Sequence, residues 1–443
     1  MKKIWKSLLC FGLSLATCAT FTACDMEMVG GILEDILSGL EYESSLGSSV
    51  NNGDQDDNHS GDSTSDSSSD STSDSGSSDS SSPNDSASDS TSDSSSPDDS
   101  SSDSTSDSGG DENETPPVEI VTDELSIHFL ELGNRYAGDC TLIDIGDIEI
   151  LIDAGSRDSS AGTIVPYVQQ YCTDGVLEYV IATHAHQDHI AGFVGTSTYK
   201  GVFDSFFCQT IIDYSLSDTT TQVRKSYEAK RDAEVAAGAK HYTVLECWNN
   251  QNGAKRSYEL SEGITMNFLY QKYYETKTSD ENDYSVCMLL TQGENNYLFT
   301  GDLEKNGEES LIANNDLPKC KLFKGGHHGS PTSSTAELLS AIEPEIVCVC
   351  CCAGSNEYTN TPANQFPSQA FVDRIAPYTD KVYVTTLAIN DANGKTTGYQ
   401  SMNGNIVVRS NGKDVTVNCS NNNIVLKDTE WFKKNRTIPS AWQ

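Results

Sequence analysis

The chain has 443 residues, with 28 basic side chains against 66 acidic ones and a formal charge of −38. Residues 51–115 carry 18 acidic residues and no Lys or Arg, and removing that −18 still leaves about −20 for the rest. The remainder is acidic in its own right, which argues against a broad basic face gripping nucleic acid but leaves room for a local basic patch.

The chain opens like an export signal. Lys2, Lys3 and Lys6 precede an apolar stretch that ends at small residues, F-T-A-C, and the stretch is too short for a convincing membrane span. That ending is similar to a lipobox, which makes Cys24 the expected lipidation site and new N-terminus. L-A-T-C, ending at Cys18, competes with it, and Phe21 in place of a leucine-like residue keeps plain cleavage and secretion open. The expected placement is exported and lipid-anchored on the outer face of the cell membrane, with no membrane contact beyond the anchor. Residues 25–117 form a short helical segment and then a Ser/Asp-rich linker. With almost nothing apolar to bury, such a linker cannot offset its ordering entropy and is expected to be a disordered stalk. Its aspartates never take the spacing of a calcium loop closed by a glutamate.

Residues 118–443 are long enough for one large core. Strand patterns run through L-S-I-H-F-L, C-T-L-I-D-I and I-E-I-L-I-D-A-G, with turn residues between them, including G-N-R-Y-A-G-D. The spacing of A-G-T-I-V-P-Y-V-Q-Q-Y-C predicts a helix, and V-L-E-Y-V-I-A-T reads as a buried strand. Residues 201–280 are mixed and include a charged helical piece over Q-V-R-K-S-Y-E-A-K-R-D-A-E. Strands resume at S-V-C-M-L-L-T-Q, N-Y-L-F-T, K-L-F-K, P-E-I-V-C-V-C-C-C and K-V-Y-V-T-T, and a closing hairpin turns at N-G. This order predicts sheet on sheet with helices outside. The run Cys348, Cys350, Cys351, Cys352 could form a soft-metal site, but it reads more simply as a buried strand using cysteine as a small hydrophobe.

The chemistry concentrates in T-H-A-H-Q-D-H, at the end of a predicted strand. His184, His186, Asp188 and His189 cannot share one helix face, but a tight loop can turn all four into one cavity. Imidazole and carboxylate suit zinc and similar divalent ions. Four ligands this close favour a pair of adjacent metals over one. Asp302, in F-T-G-D-L, and His327 and His328, in K-G-G-H-H-G-S, fall at other strand ends, so five of the eight histidines join the constellation.

These motifs resemble the H-x-H-x-D-H signature and flanking motifs of the metallo-β-lactamase-fold hydrolases. K-G-G-H-H-G-S with N-D-Y-S-V-C-M-L-L is most similar to the hydrolase domain of bacterial DNA-internalisation competence proteins. The resemblance implies an α/β fold, an αβ/βα four-layer sandwich with its site at one edge. It implies two divalent metal ions, zinc or manganese, with His184 and His186 on the first, Asp188 and His189 on the second and Asp302 bridging. His327 would complete the second site, leaving His328 behind it or as a proton donor, so Asp188 and His328 are the expected catalytic pair. Asp153 would orient the metal-binding loop. Many members carry a further histidine where this chain has Asn282, Asp283 and Ser285 in D-E-N-D-Y-S-V. His241 could substitute, but it and His128 sit in strand patterns and read as structural. The implied reaction is hydrolysis by metal-activated hydroxide, first of all of phosphodiesters in extracellular nucleic acid or at the cell surface. Ester or thioester hydrolysis and a non-catalytic adhesion scaffold are the alternatives. Either way the partner is a phosphodiester or another small substrate, with no dedicated protein partner.

Overall fold

A computed structural model describes residues 122–443. The expected signal, Cys24 and the linker over residues 25–117 lie outside the described residues. In chain order the strands of the first half are β1 (Leu125–Phe129), β2 (Thr141–Ile145), β3 (Ile148–Ile152), β4 (Val176–Leu177), β5 (Tyr179–Ala182), β6 (Phe207–Cys208), β7 (Thr210–Asp213) and β8 (Lys240–Thr243). The second half holds β9 (Ser257–Ser261), β10 (Ile264–Phe268), β11 (Met288–Gln292), β12 (Asn295–Phe299), β13 (Leu322–Lys324), β14 (Ile346–Ala353), β15 (Val382–Asn390) and β16 (Thr396–Ser401). β17 (Ile406–Ser410) and β18 (Val415–Cys419) close the order. Among the helices are α1 (Ala161–Val168), α2 (Gln187–Val194), α3 (Gln222–Ala236), α4 (Lys305–Asn314), α5 (Ala336–Ile342) and α6 (Gln369–Ile375).

Two eight-stranded sheets result, in the orders β18-β17-β1-β2-β3-β5-β7-β8 and β16-β15-β14-β13-β12-β11-β10-β9. The C-terminal hairpin β17–β18 returns to the first sheet and pairs antiparallel with β1. β3, β5, β7 and β8 are parallel neighbours in one sheet, and β12 to β15 in the other. The carboxyl ends of several strands therefore gather at the same edge of the sandwich.

Strand alternation divides the apolar residues into three layers of core. Ile127, Phe129, Ile143 and Ile152 meet Phe268, Leu290, Phe299 and Cys350 between the sheets. Leu142, Leu151, Val180 and Ile211 face outward against Ile164, Val168, Ile190 and Phe193 of α1 and α2. On the far side Leu298, Phe323, Val347 and Val349 lie under Leu311, Leu339, Phe371 and Ile375 of α4, α5 and α6. The layers run helix, sheet, sheet, helix, which is the αβ/βα sandwich. α3, the charged helix, buries only Tyr227.

The cysteine run lies in β14, which is buried along its whole length. Cys348 and Cys350 point between the sheets while Cys351 points to the helix layer. Side chains on opposite faces cannot share one ion, so the run packs as small hydrophobes. No helix among the described residues is long and apolar enough to cross a membrane.

Candidate metal centre

The site is assembled from strand ends and held by carboxylates set behind its imidazoles. As β3 ends, Asp153 turns into left-handed backbone (φ 57°). Its carboxylate accepts the Thr183 amide and hydroxyl, both at 2.8 Å, and meets His189 Nδ1 at 2.8 Å. Two residues on, Gly155 lets the chains touch, because a Cβ there would lie 1.7 Å from the Asp188 carbonyl oxygen. Both features of L-I-D-A-G thus fix the start of α2.

The T-H-A-H-Q-D-H loop leaves β5 and becomes that helix. His184 Nε2 and His186 Nδ1 lie 3.0 Å apart. His184 is buried, with the Thr183 and Ser285 hydroxyls at 3.1 and 3.4 Å from its Nδ1. Burial, together with the neighbouring His189 and His186, holds its pKa well below the usual imidazole value, which keeps a lone pair free.

From the other sheet, Asp302 follows β12 and His327 and His328 follow β13. Asp302 Oδ2 is 3.0 Å from His189 Nε2 and 3.2 Å from His328 Nε2. The His328 ring is buried, its Nε2 is 3.4 Å from Asp188 Oδ2, and its Nδ1 meets the Cys350 carbonyl at 2.9 Å and Asp139 Oδ1 at 3.3 Å. His327 instead sits in the wall of the cleft, its Nδ1 3.1 Å from Glu304 Oε1 and its Nε2 3.9 Å from Asp302. The geometry thus exchanges the two histidines relative to the expectation: His328 faces the ligand cluster and His327 the solvent side. Both have positive φ, 44° and 54°, a backbone state costing about 1–3 kcal/mol per non-glycine residue. That strain turns successive rings to different sides.

Burial alone would lower the pKa of His189, but Asp302 and Asp153 hold it well above its usual value; Asp302 and Asp139 do the same for His328. The imidazoles in turn hold Asp302 and Asp188 well below the carboxylate range, against the upward push of burial. His189 Nε2, His328 Nε2 and Asp302 Oδ1 are buried without a hydrogen-bond partner. Asp139, His189, Asp302 and His328 each bring a ligand atom within 4.8 Å of the others. Of these, Asp302 faces the Nε2 atoms of His189 and His328 while Asp139 lies on their Nδ1 sides, and the nitrogen and oxygen donors of Asp302, His189 and His328 suit a divalent cation.

Of the three residues noted where another histidine was expected, Ser285 is behind His184 and its Oγ accepts the Asp302 amide. Asp283 is turned to the Glu304 amide, and only Asn282 lines the cleft. His241 pairs with Asp213 at 2.8 Å, sharing it with Arg231. His128 packs against Tyr167 and Tyr171, with burial pulling its pKa down to about 4. Neither joins the centre.

Motif reading missed Asp139 and Lys324. Asp139 closes the turn G-N-R-Y-A-G-D, where a G-D pair passes for turn chemistry, and Lys324 ends a strand where a lysine passes for a surface residue. They form a buried ion pair directly behind His328. Also missed were Tyr358, whose hydroxyl donates to Asp188 Oδ2 at 2.7 Å, and Glu304. The centre opens into a cleft of about 820 Å³.

The fold is that of the metallo-β-lactamase superfamily, whose sequence pattern matches residues 133–195. Within it the chain is similar to competence proteins. It is 27% identical to Recombination protein 2 of Haemophilus influenzae over 58% of this chain and 27% of that one. It is 32% identical to Competence protein ComA of Neisseria gonorrhoeae, over 29% and 17%, and 31% identical to ComE operon protein 3 of Bacillus subtilis, over 19% and 11%. The matched part spans about a quarter or less of each relative. Among solved structures, the metallo-β-lactamase-fold protein YhfI of Bacillus subtilis aligns over 60% of this chain and 97% of its own, at 13% identity and a TM-score of 0.33.

Proposed function

We propose that the chain is a phosphodiester hydrolase working with two divalent cations, zinc or manganese. The observation that supports it most directly is the buried convergence of His189, His328 and Asp302 with Asp188 beside them, at the floor of an open cleft. Asp188, His189, Asp302 and His328 would hold one cation, and His184 and His186 a second that shares Asp302. Cations bound there acidify water and neutralise charge developing on a phosphoryl oxygen. The chain's own part is to fix the donors. Asp153 and Asp139 hold the Nδ1 sides of His189 and His328, so that each Nε2 points inward. Tyr358 steadies Asp188 from the cleft side. His327, backed by Glu304 and open to the cleft, is placed to give a proton to a leaving oxygen. We further propose that the chain is exported, carries a lipid on Cys24 as its membrane contact, and acts on a small substrate rather than a protein partner.

Metal analysis of the purified chain, followed by hydrolysis of bis(p-nitrophenyl) phosphate by wild type and Asp302→Ala, tests the reading. Bound transition metal with activity lost in the variant is expected. A chain that binds metal yet leaves every phosphodiester intact would end the phosphodiester assignment.

A further inference from the structure

The cleft wall carries a charge pattern that the metal chemistry does not require. Apart from histidines, Arg157 is the single basic residue lining it among the described residues, against Asp158, Asp188, Asp302 and Glu357. Asp188 and Asp302 belong to the floor, where bound cations would balance them. The outer wall is then left with one cation and two carboxylates.

Arg157 is already committed. Its Nη2 pairs with Glu357 Oε1 at 2.7 Å, its Nη1 donates to the Ser156 carbonyl at 2.7 Å, and its guanidinium lies 3.9 Å over the Tyr136 ring. The opposite wall offers Thr221, Gln222, Ser226 and Asn282, all uncharged and able to hydrogen-bond. Arg224 of α3 is turned to the carbonyls of Ser217 and Thr219, and the exposed Lys225 lies outside the wall. A site that threads a nucleic acid lines its path with Lys and Arg to neutralise successive phosphates. Here the Arg157–Glu357 pair is balanced within itself, so a second phosphate would find no free cation on that wall and would meet the carboxylate of Asp158.

We infer that the cleft selects a small phosphodiester carrying one negative charge, flanked by neutral hydrogen-bonding groups such as hydroxyls, and turns polyanions away. This rests on the phosphodiester reading and narrows it: the substrate class is a low-charge diester rather than a DNA or RNA strand. Asp158 and the lack of a free cation set the limit, the metal centre supplies the one anion site, and the uncharged wall takes the flanking group.

The test uses the full chain supplied with zinc or manganese. kcat/KM per bond is compared for thymidine 5′-(p-nitrophenyl phosphate), a thymidine dinucleotide and a long oligothymidylate, across a range of salt. The rate per bond should fall by roughly tenfold from the mononucleotide ester to the long strand, and salt should narrow the gap by screening the wall. Asp158→Lys should raise the long strand's kcat/KM relative to the ester. A per-bond rate that holds or rises with length, and that salt suppresses, overturns the inference. If no diester is cleaved, the phosphodiester reading falls while the charge selection is still read separately, from fluorescence anisotropy of a labelled long oligothymidylate. Absence of saturable binding at physiological salt supports the acidic wall; tight binding that weakens steeply with salt refutes it.

Discussion

Lys324→Met tests the buried pair behind the metal centre. Lys324 and Asp139 are 4% and 1% exposed at the side chain, and the pair bonds across the gap between the two sheets. Burial favours a neutral lysine, but Asp139 and Asp302 hold its pKa above the usual ammonium value. Methionine keeps the length and removes the charge, leaving the Asp139 carboxylate buried with His328 at 3.3 Å and His189 at 3.8 Å beside it. Breaking a buried pair from one side costs about 3–5 kcal/mol, because the remaining charge has lost its solvation and its partner. Over the 322 described residues the unfolding entropy is about 0.7 kcal/mol/K, so the expected loss in Tm is roughly 4–7 °C. The double variant Asp139→Asn/Lys324→Met removes both charges and should recover about 2 kcal/mol or more of that loss relative to the sum of the single variants. Urea unfolding in excess chelator isolates the effect from metal linkage. If Lys324→Met costs less than about 1 kcal/mol and the two changes simply add, the pair does not hold the sheets together in the way argued.

Glu308 is buried under α5, where it accepts the amides of Ser334 and Thr335 at 2.6 and 2.7 Å, and burial pushes its pKa up to about 7 from 4.5. An acid that holds its proton more tightly when folded stabilises the fold below its unfolded value and loses that contribution as the pH climbs to the folded one. Wild type should therefore lose stability relative to Glu308→Gln between about pH 4.5 and 7, at up to about 1.4 kcal/mol per unit, and parallel urea profiles would count against the assignment. Gly155→Ala should cost about 3 kcal/mol and weaken metal retention, because its methyl would occupy the place of the Asp188 carbonyl; a fully stable variant refutes the close approach. Calorimetric titration with zinc should show unequal steps. The tighter should be lost in His328→Ala but kept in His186→Ala, and two equal steps in wild type would contradict the geometry.

The sandwich and the ligand loop were legible because each rests on local pattern. Alternating apolar runs mark β2, β3 and β12, and T-H-A-H-Q-D-H and F-T-G-D put unusual residues at strand ends. Residues 201–280 were harder, since β7 and β8 are short and the β9–β10 hairpin is half-buried at the sheet edge, so neither period nor hydrophobicity stands out. The roles of the tandem histidines were illegible for a different reason. Adjacent residues in identical context differ here only through positive φ at both positions, a backbone choice that side-chain chemistry does not encode. Asp139 was hidden because its partner Lys324 is 185 positions away, and only the packing of one sheet on the other brings the two together.

The supports behind the imidazoles explain why the two halves of the centre should differ in affinity. His189 has Asp153 behind Nδ1 and His328 has Asp139, itself anchored by Lys324, so each ring is oriented before any cation arrives. A carboxylate behind a ligating ring both fixes its direction and raises its basicity. His184 has only hydroxyls behind it, from Thr183 and Ser285, and His186 sits at the start of α2 as a wall of the open cleft. Ser285 supports His184 and the Asp302 amide instead of facing the centre. One half is therefore preorganised, buried and charge-backed, while the other is neutral, partly open and short of a ligand. A cation entering the second half would find donors in His184 and His186 without a carboxylate behind either ring.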